Sequence, residues 1–122
     1  MLSSSPRRLG VLLASLALLL AVPAAAQASW GSIAINPETG RKGIVAGKNT
    51  AKAAKNAAKS RCGDKHCKSA VWVFNGWGAT VKKKNGLYIS GIGTTKAKAV
   101  ANARKRAGEK APLFATVFSG YS

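Results

Sequence analysis

The chain has 122 residues and carries twenty Lys and Arg against three Asp and Glu, a formal net charge of +17. The three carboxylates, Glu38, Asp64 and Glu109, sit in unrelated segments, which excludes a flanking carboxylate pair of the glycosidase kind. Trp30, Trp72, Trp77, Phe74, Phe114 and Phe118, with several Ile and Val, exclude a disordered polycation, which lacks such residues.

The first segment reads as a leader. "MLSSSPRRLG" is basic, "VLLASLALLLAV" is a short apolar run, and "PAAAQAS" supplies small residues in the A-x-A pattern. Residues 1–28 are expected to be a signal peptide cut between Ala28 and Ser29, or alternatively after Ala26. An uncleaved anchor is the other reading, but the apolar run is short of the roughly 20 residues a spanning helix needs. Arg7-Arg8 matches a twin-arginine signal only in that pair. Removing residues 1–28 takes away two basic residues and no acid, which leaves eighteen basic residues against three acids, a surplus of fifteen. The expected location is secreted or periplasmic, and residues 29–122 form one domain.

In chain order, "WGSIAI" (30–35) alternates as a strand does, and "NPETG" (36–40) is a turn with a fixed-φ proline and a closing glycine. "NPETG" also resembles a sortase sorting signal, but it lies near the start of the mature chain with no apolar tail after it. A second strand is expected around 42–46. "TAKAAKNAAKSRC" (50–62) is a helix with Asn49 or Thr50 as its cap and Gly63 as its stop. A strand follows at 69–74, then another, "WGATVK" (77–82). "KKNG" (83–86) ends in Asn-Gly, a favoured hairpin pair, and leads to a strand around 87–90. "SGIGTT" (90–95) reads as a strand-to-helix connection, whose N–H groups are also able to hold an anion. Thr94 or Thr95 caps a second helix that Gly108 stops, and a last strand spans 113–118.

The two halves repeat. "TAKAAKNAAKSRCG" (50–63) lines up with "TKAKAVANARKRAG" (95–108), 45 positions on, and "VWVFNG" (71–76) recurs as "ATVFSG" (115–120). Trp30-Gly31 returns as Trp77-Gly78. The expectation is therefore an internal duplication, about 30–76 and 77–120. The fold class is α+β, with duplicated β-β-α-β units forming a mostly antiparallel sheet and two Ala-rich helices on one face. Ala51, Ala54 and Ala58, and Ala99, Ala103 and Ala107, give each helix a small-residue face that lies close on a sheet. Lys48, Lys52, Lys55 and Lys59 fall on the opposite side.

"WGSIAINPETG", an alanine-rich helix ending in Cys62, and "CKSAVWVFNGWGA" together resemble the secreted bacterial domain-of-unknown-function family 4189 (DUF4189) over nearly all of the mature chain. The resemblance implies export and a small disulfide-stapled fold, and no known reaction. Trp77 and Ala107 stand where the family pattern often has cysteines; if those two pair with each other, their joint absence is coherent.

Cys62 and Cys67 frame "CGDKHC". In an exported chain two cysteines form a disulfide, and closing so short a loop stabilises by roughly 2 kcal/mol. A metal site from both thiolates with His66 and Asp64, or a redox-active pair, are the alternatives; the spacing is not a strong zinc pattern and no second ligand pair follows. His66 is the sole histidine, and Asp64 lies too close to it in the same loop for a triad. No cofactor, metal site or enzymatic activity is expected.

The charge points to a partner. The expected function is an exported cationic module that holds anionic polymers or membrane surfaces through Arg41, Lys42, Lys52, Lys55, Lys59, Lys82, Lys83, Lys84, Lys98, Arg104 and Lys105. No base-reading motif is present, so no sequence-specific nucleic acid is expected. "SAVWVFNGW" (69–77) is apolar on both alternating faces, with Trp72 and Phe74 on one and Val71 and Val73 on the other. Helices cover one face, so the open face is expected either to meet a second copy in a homodimer or to expose an aromatic patch. The alternatives in function are a secreted effector or antimicrobial, and an inhibitor-like protein-binding domain using Trp72, Phe74 and Trp77.

Overall fold

The computed structural model describes residues 29–120, so the leader expected over residues 1–28 lies outside the described residues. Six strands and two helices alternate in the order β1 (Trp30–Ile35), β2 (Lys42–Lys48), α1 (Ala51–Cys62), β3 (Lys68–Phe74), β4 (Trp77–Lys82), β5 (Tyr88–Gly93), α2 (Lys96–Ala107) and β6 (Leu113–Phe118). The chain is α+β with the β-β-α-β order twice.

Each repeat closes its own three-stranded antiparallel sheet, ordered β2-β1-β3 and β5-β4-β6. The first strand of each repeat is central and is buried on both faces: β1 from Gly31 to Ile35, and β4 from Gly78 to Val81. The helix of each repeat crosses over the central strand to deliver the third strand to its far side.

The helices form where the threonines and glycines place them. Thr50 and Thr95 accept hydrogen bonds from the backbone N–H of Ala53 and Lys98, and Gly63 and Gly108 end the helices in the left-handed conformation. Ala54, Ala58 and Cys62 of α1, and Ala99, Ala103 and Ala107 of α2, are buried against their sheets. The strands meet them with glycine. A Cβ on Gly43 would run into the backbone of Ala58 and Cys62, and one on Gly91 into the backbone of Ala103. The same close approach explains why β5 runs to Gly93 rather than stopping near residue 90. Glycines that read as a connection are strand residues lying directly under α2.

The other face of each sheet packs on the other sheet. Ile33, Ile35, Val71 and Val73 from the first repeat meet Ala115 and Val117 from the second. The molecule is thus four layers, α1, sheet, sheet, α2, and the two repeats face one another. The Val71 and Val73 face is buried between the halves of one chain, and Trp72 and Phe74 are on the face left exposed. Where the repeats join, Ser119 is fully buried and its hydroxyl accepts from the Gly76 N–H at 2.8 Å, while its carbonyl accepts from the Gly47 N–H and the Ser29 hydroxyl.

One turn differs from expectation. "KKNG" does not make a two-residue hairpin loop. Gly86 N–H bonds to Lys83 O, Lys83 N–H to Leu87 O, and Gly86 alone takes positive φ, at 91°. Asn85 instead spends its side chain on the Leu87 N–H.

Two substitutions test this packing. Gly43→Ala forces α1 off its sheet and is expected to cost about 1–3 kcal/mol, a Tm lower by roughly 5–20 °C in thermal unfolding. Ser119→Ala leaves the Gly76 N–H without its acceptor and is expected to cost about 1–3 kcal/mol in denaturant unfolding.

Candidate functional site

The cationic residues singled out from sequence fall into three groups. Lys52, Lys55 and Lys59 lie on α1 at one outer layer, and Lys98, Arg104 and Lys105 on α2 at the opposite outer layer. Arg41, Lys42, Lys82, Lys83 and Lys84 come together at the end where both hairpins turn. The first hairpin reaches the second there: a Cβ on Gly40 would lie 3.8 Å from the Tyr88 hydroxyl.

That end is built on aromatic rings. Tyr88 at the start of β5 and Phe114 on β6 pack edge to face with ring centroids 4.8 Å apart. The Lys42 Nζ sits 4.6 Å from the Phe114 centroid and donates to the Phe114 carbonyl at 3.0 Å. The Lys82 Nζ sits 5.5 Å from the Tyr88 centroid. Two ammonium groups therefore flank one aromatic pair, each attracted to a ring face. The C-terminal ends of both helices arrive at the same end. Gly63 closes α1 beside the Arg41 guanidinium, and Glu109, just past α2, accepts from the Lys84 backbone N–H at 3.0 Å. Helix C-termini carry partial negative charge, which favours cations there.

Little of this charge is cancelled by the carboxylates. Glu109 is used on a backbone N–H, and Asp64 accepts from the Asn36 side-chain amide at 2.8 Å and the His66 backbone N–H at 2.7 Å. Those two hydrogen bonds, the Asn36 one foremost, hold the Asp64 carboxyl below its ordinary value of 3.8, with smaller help from His66 and Arg41 and against a small desolvation cost. Cys62 and Cys67 form a disulfide with Cα atoms 6.1 Å apart, so neither sulfur is a free thiolate ligand. The cysteine loop is thus closed by one covalent bond and tied by Asp64 to the first hairpin.

The aromatic residues named from sequence do not form one patch. Trp72 and Phe74 are 44% and 49% exposed on the α1 side of the first sheet, where the Lys55 Nζ lies 4.3 Å from the Trp72 ring and Trp30 packs on Phe74. Trp77 lies in the other sheet on its α2 side, half-buried and stacked on Phe118 at 5.0 Å. Tyr88 and Phe114 were not singled out by the sequence reasoning. The available signal was aromatic residues flanked by lysine near both hairpin turns.

The Asp64 geometry makes a pH prediction. A carboxyl held below its unfolded value favours the folded state above about pH 3.8, and that contribution is lost as pH falls through the lower folded value. The denaturant midpoint of the native protein is therefore expected to drop below pH 3.8 more steeply than that of Asp64→Asn, in parallel urea titrations.

Neither the curated proteins nor the solved structures compared with the chain gave a match. The sequence does match, over residues 30–115, a family described as a domain of unknown function. That stretch runs from the first residue of β1 into β6 and takes in both repeats and the basic hairpin end, so the chain belongs to the DUF4189 family.

Proposed function

We propose that the protein is an exported cationic module that binds anionic polymers without sequence preference, with the hairpin end as its principal contact surface. The observation that carries this reading is the pair of ammonium groups, Lys42 and Lys82, held over the Phe114 and Tyr88 rings with Lys83 and Lys84 beside them. Ring contacts limit the freedom of those long side chains, so less entropy is lost when an anion arrives. The surplus of fifteen positive charges over residues 29–122 supplies the long-range attraction, and counterion release supplies the affinity. The disulfide fits an oxidising compartment, in keeping with export.

The membrane-active reading has less support. The apolar faces of both helices are alanine and are used against the sheets, which leaves no apolar helix face to insert. Among the described residues no helix is long and apolar enough to cross a membrane.

Purified protein is expected to be retained on heparin and on duplex DNA at low salt and to be released steeply as salt rises. Changing Lys82 and Lys84 to Glu is expected to weaken binding about tenfold or more and to lower the log–log salt slope by about 1 per lost contact. The pair Lys98→Glu and Lys105→Glu on α2 is expected to act less. No retention of the native protein on either matrix at low salt would sink the reading.

A further inference from the structure

The two flanks of the sandwich, which the duplication would make equivalent, are not alike. Because the sheets stack with β3 over β4 and β5, and with β2 and β1 over β6, each sheet overhangs the other by one edge strand. On one flank β2 overhangs β6. There the bulged residue of β6 is Phe114, skipped between the Thr80–Ala115 and Val81–Leu113 pairs, and Lys42 closes the gap by bonding the Phe114 carbonyl and covering its ring. On the other flank β5 overhangs β3. The bulged residue of β3 is Ala70, skipped between the Ile33–Val71 and Ala34–Ser69 pairs, 44 positions before Phe114. A methyl replaces the ring, and among the described residues no lysine crosses.

The result is a groove between β3 and β5, two adjacent hollows of about 210 and 320 Å³ that share Ala70 as a wall. Ile92, on the overhanging inner face of β5, is 53% exposed beside it, and Leu87 is 56% exposed at its lower end. Ser69 Oγ, buried without a hydrogen-bond partner, lines the lower hollow.

The edge of β3 is also the one left open. Each of the other three edge strands has at least one carbonyl capped by a side chain: Ile44 of β2 by Arg61, Ser90 and Ile92 of β5 by Arg106 and Asn102, and Phe114 of β6 by Lys42. Among the described residues no side chain caps β3's outer edge. The Asn75 N–H bonds to Ser29 O, so by antiparallel alternation Val71 and Val73 bond to β1, while the N–H and C=O of Trp72 and Phe74 face outward.

We propose that this groove receives an extended, acidic segment of another polypeptide, which adds to β3 as a fourth strand and covers Ile92. Charge selects the occupant. Lys68 and Arg106 line the groove and Lys55 lies over Trp72 on the α1 side, so cations flank both faces of an added strand and favour an acidic segment, whose apolar side chains cover Ile92. A second copy of this chain would bring another surplus of fifteen positive charges to the same edge and is repelled. The proposal concerns a different surface from the polymer-binding end and stands apart from it.

The probe is a blocked peptide of alternating valine and glutamate, about eight residues long, added to the isotope-labelled protein. Slowed amide exchange at Trp72 and Phe74 is expected, with binding about tenfold weaker for the same peptide N-methylated at every residue, which keeps the charge and removes the donors. Ile92→Glu, an exposed change checked for an unaltered thermal melt, is expected to weaken binding by a similar factor. Equal binding of the methylated peptide, or shifts confined to the lysines of α1, α2 and the hairpin end, would overturn the proposal as plain charge attraction. Self-association of the peptide-free protein with Trp72 protected would overturn it by assigning the groove to a second copy.

Discussion

The contact between the inner faces of the two sheets governs the rest of the molecule. A three-stranded sheet of six- or seven-residue strands has one helix to cover one face, and its other face needs a cover of comparable size. Ile33, Ile35, Val71 and Val73 find that cover in Ala115 and Val117 of the same chain. Once this contact forms, the helices must lie on opposite outer layers; in the arrangement this chain adopts, the two hairpin turns share an end and the edge strands overhang one another. The basic aromatic end and the groove are both consequences of stacking two copies of one unit face to face.

Close packing sets the second constraint, and it explains the composition. Alanine on the helices and glycine on the strands beneath them bring the layers together so tightly that a single methyl at Gly43 or Gly91 meets helix backbone. Such a contact buries little apolar area per residue, so the covalent and polar ties gain weight. In the first repeat the end of α1 is stapled by Cys62–Cys67. In the second, Ala107 and Ala111 are buried in one cluster and the Arg104 Nε donates to the Ala111 carbonyl at 2.9 Å. The same segment is thus closed by a covalent bond in one repeat and by packing with a charged hydrogen bond in the other.

Local signals made much of this legible in the sequence. Thr50, Gly63, Thr95 and Gly108 mark helix ends through short-range bonds that need no knowledge of the fold, and the structure uses each of them. The duplication was legible because Trp-Gly, the alanine helix and the last strand recur in order. Long-range facts were not. Whether six strands make one sheet or two depends on which pairs meet across the repeat boundary, and the alternation of Val71 and Val73 is the same either way. The placement of Tyr88 against Phe114 depends on two strands separated by a third, and the Lys42 contact with Phe114 spans 72 positions. Trp77 reads as part of one aromatic run with Trp72 and Phe74, yet Asn75-Gly76 carries the chain from one sheet to the other and turns Trp77 to the far side. Asn75, at φ 45°, is the sole non-glycine residue with positive φ among the described residues, which marks how sharp that passage is.

The layering also bears on how the charge acts. Stacked sheets lie about 10 Å apart and a packed helix adds about 10 Å on each side, so the outer faces of α1 and α2 are separated by several Debye lengths at physiological salt. Their lysines do not add into one field there. A short anion meets the charges of one surface, and only a polymer long enough to bend around the hairpin end reaches more than one. On the proposed reading, affinity rises with polymer length well after the first surface is filled, because each further surface is reached at the effective concentration set by the tethered chain. The hairpin end lies between the two helix C-termini and is the surface from which both outer faces are nearest, so on the proposed reading its lysines count for more than an equal number on either helix.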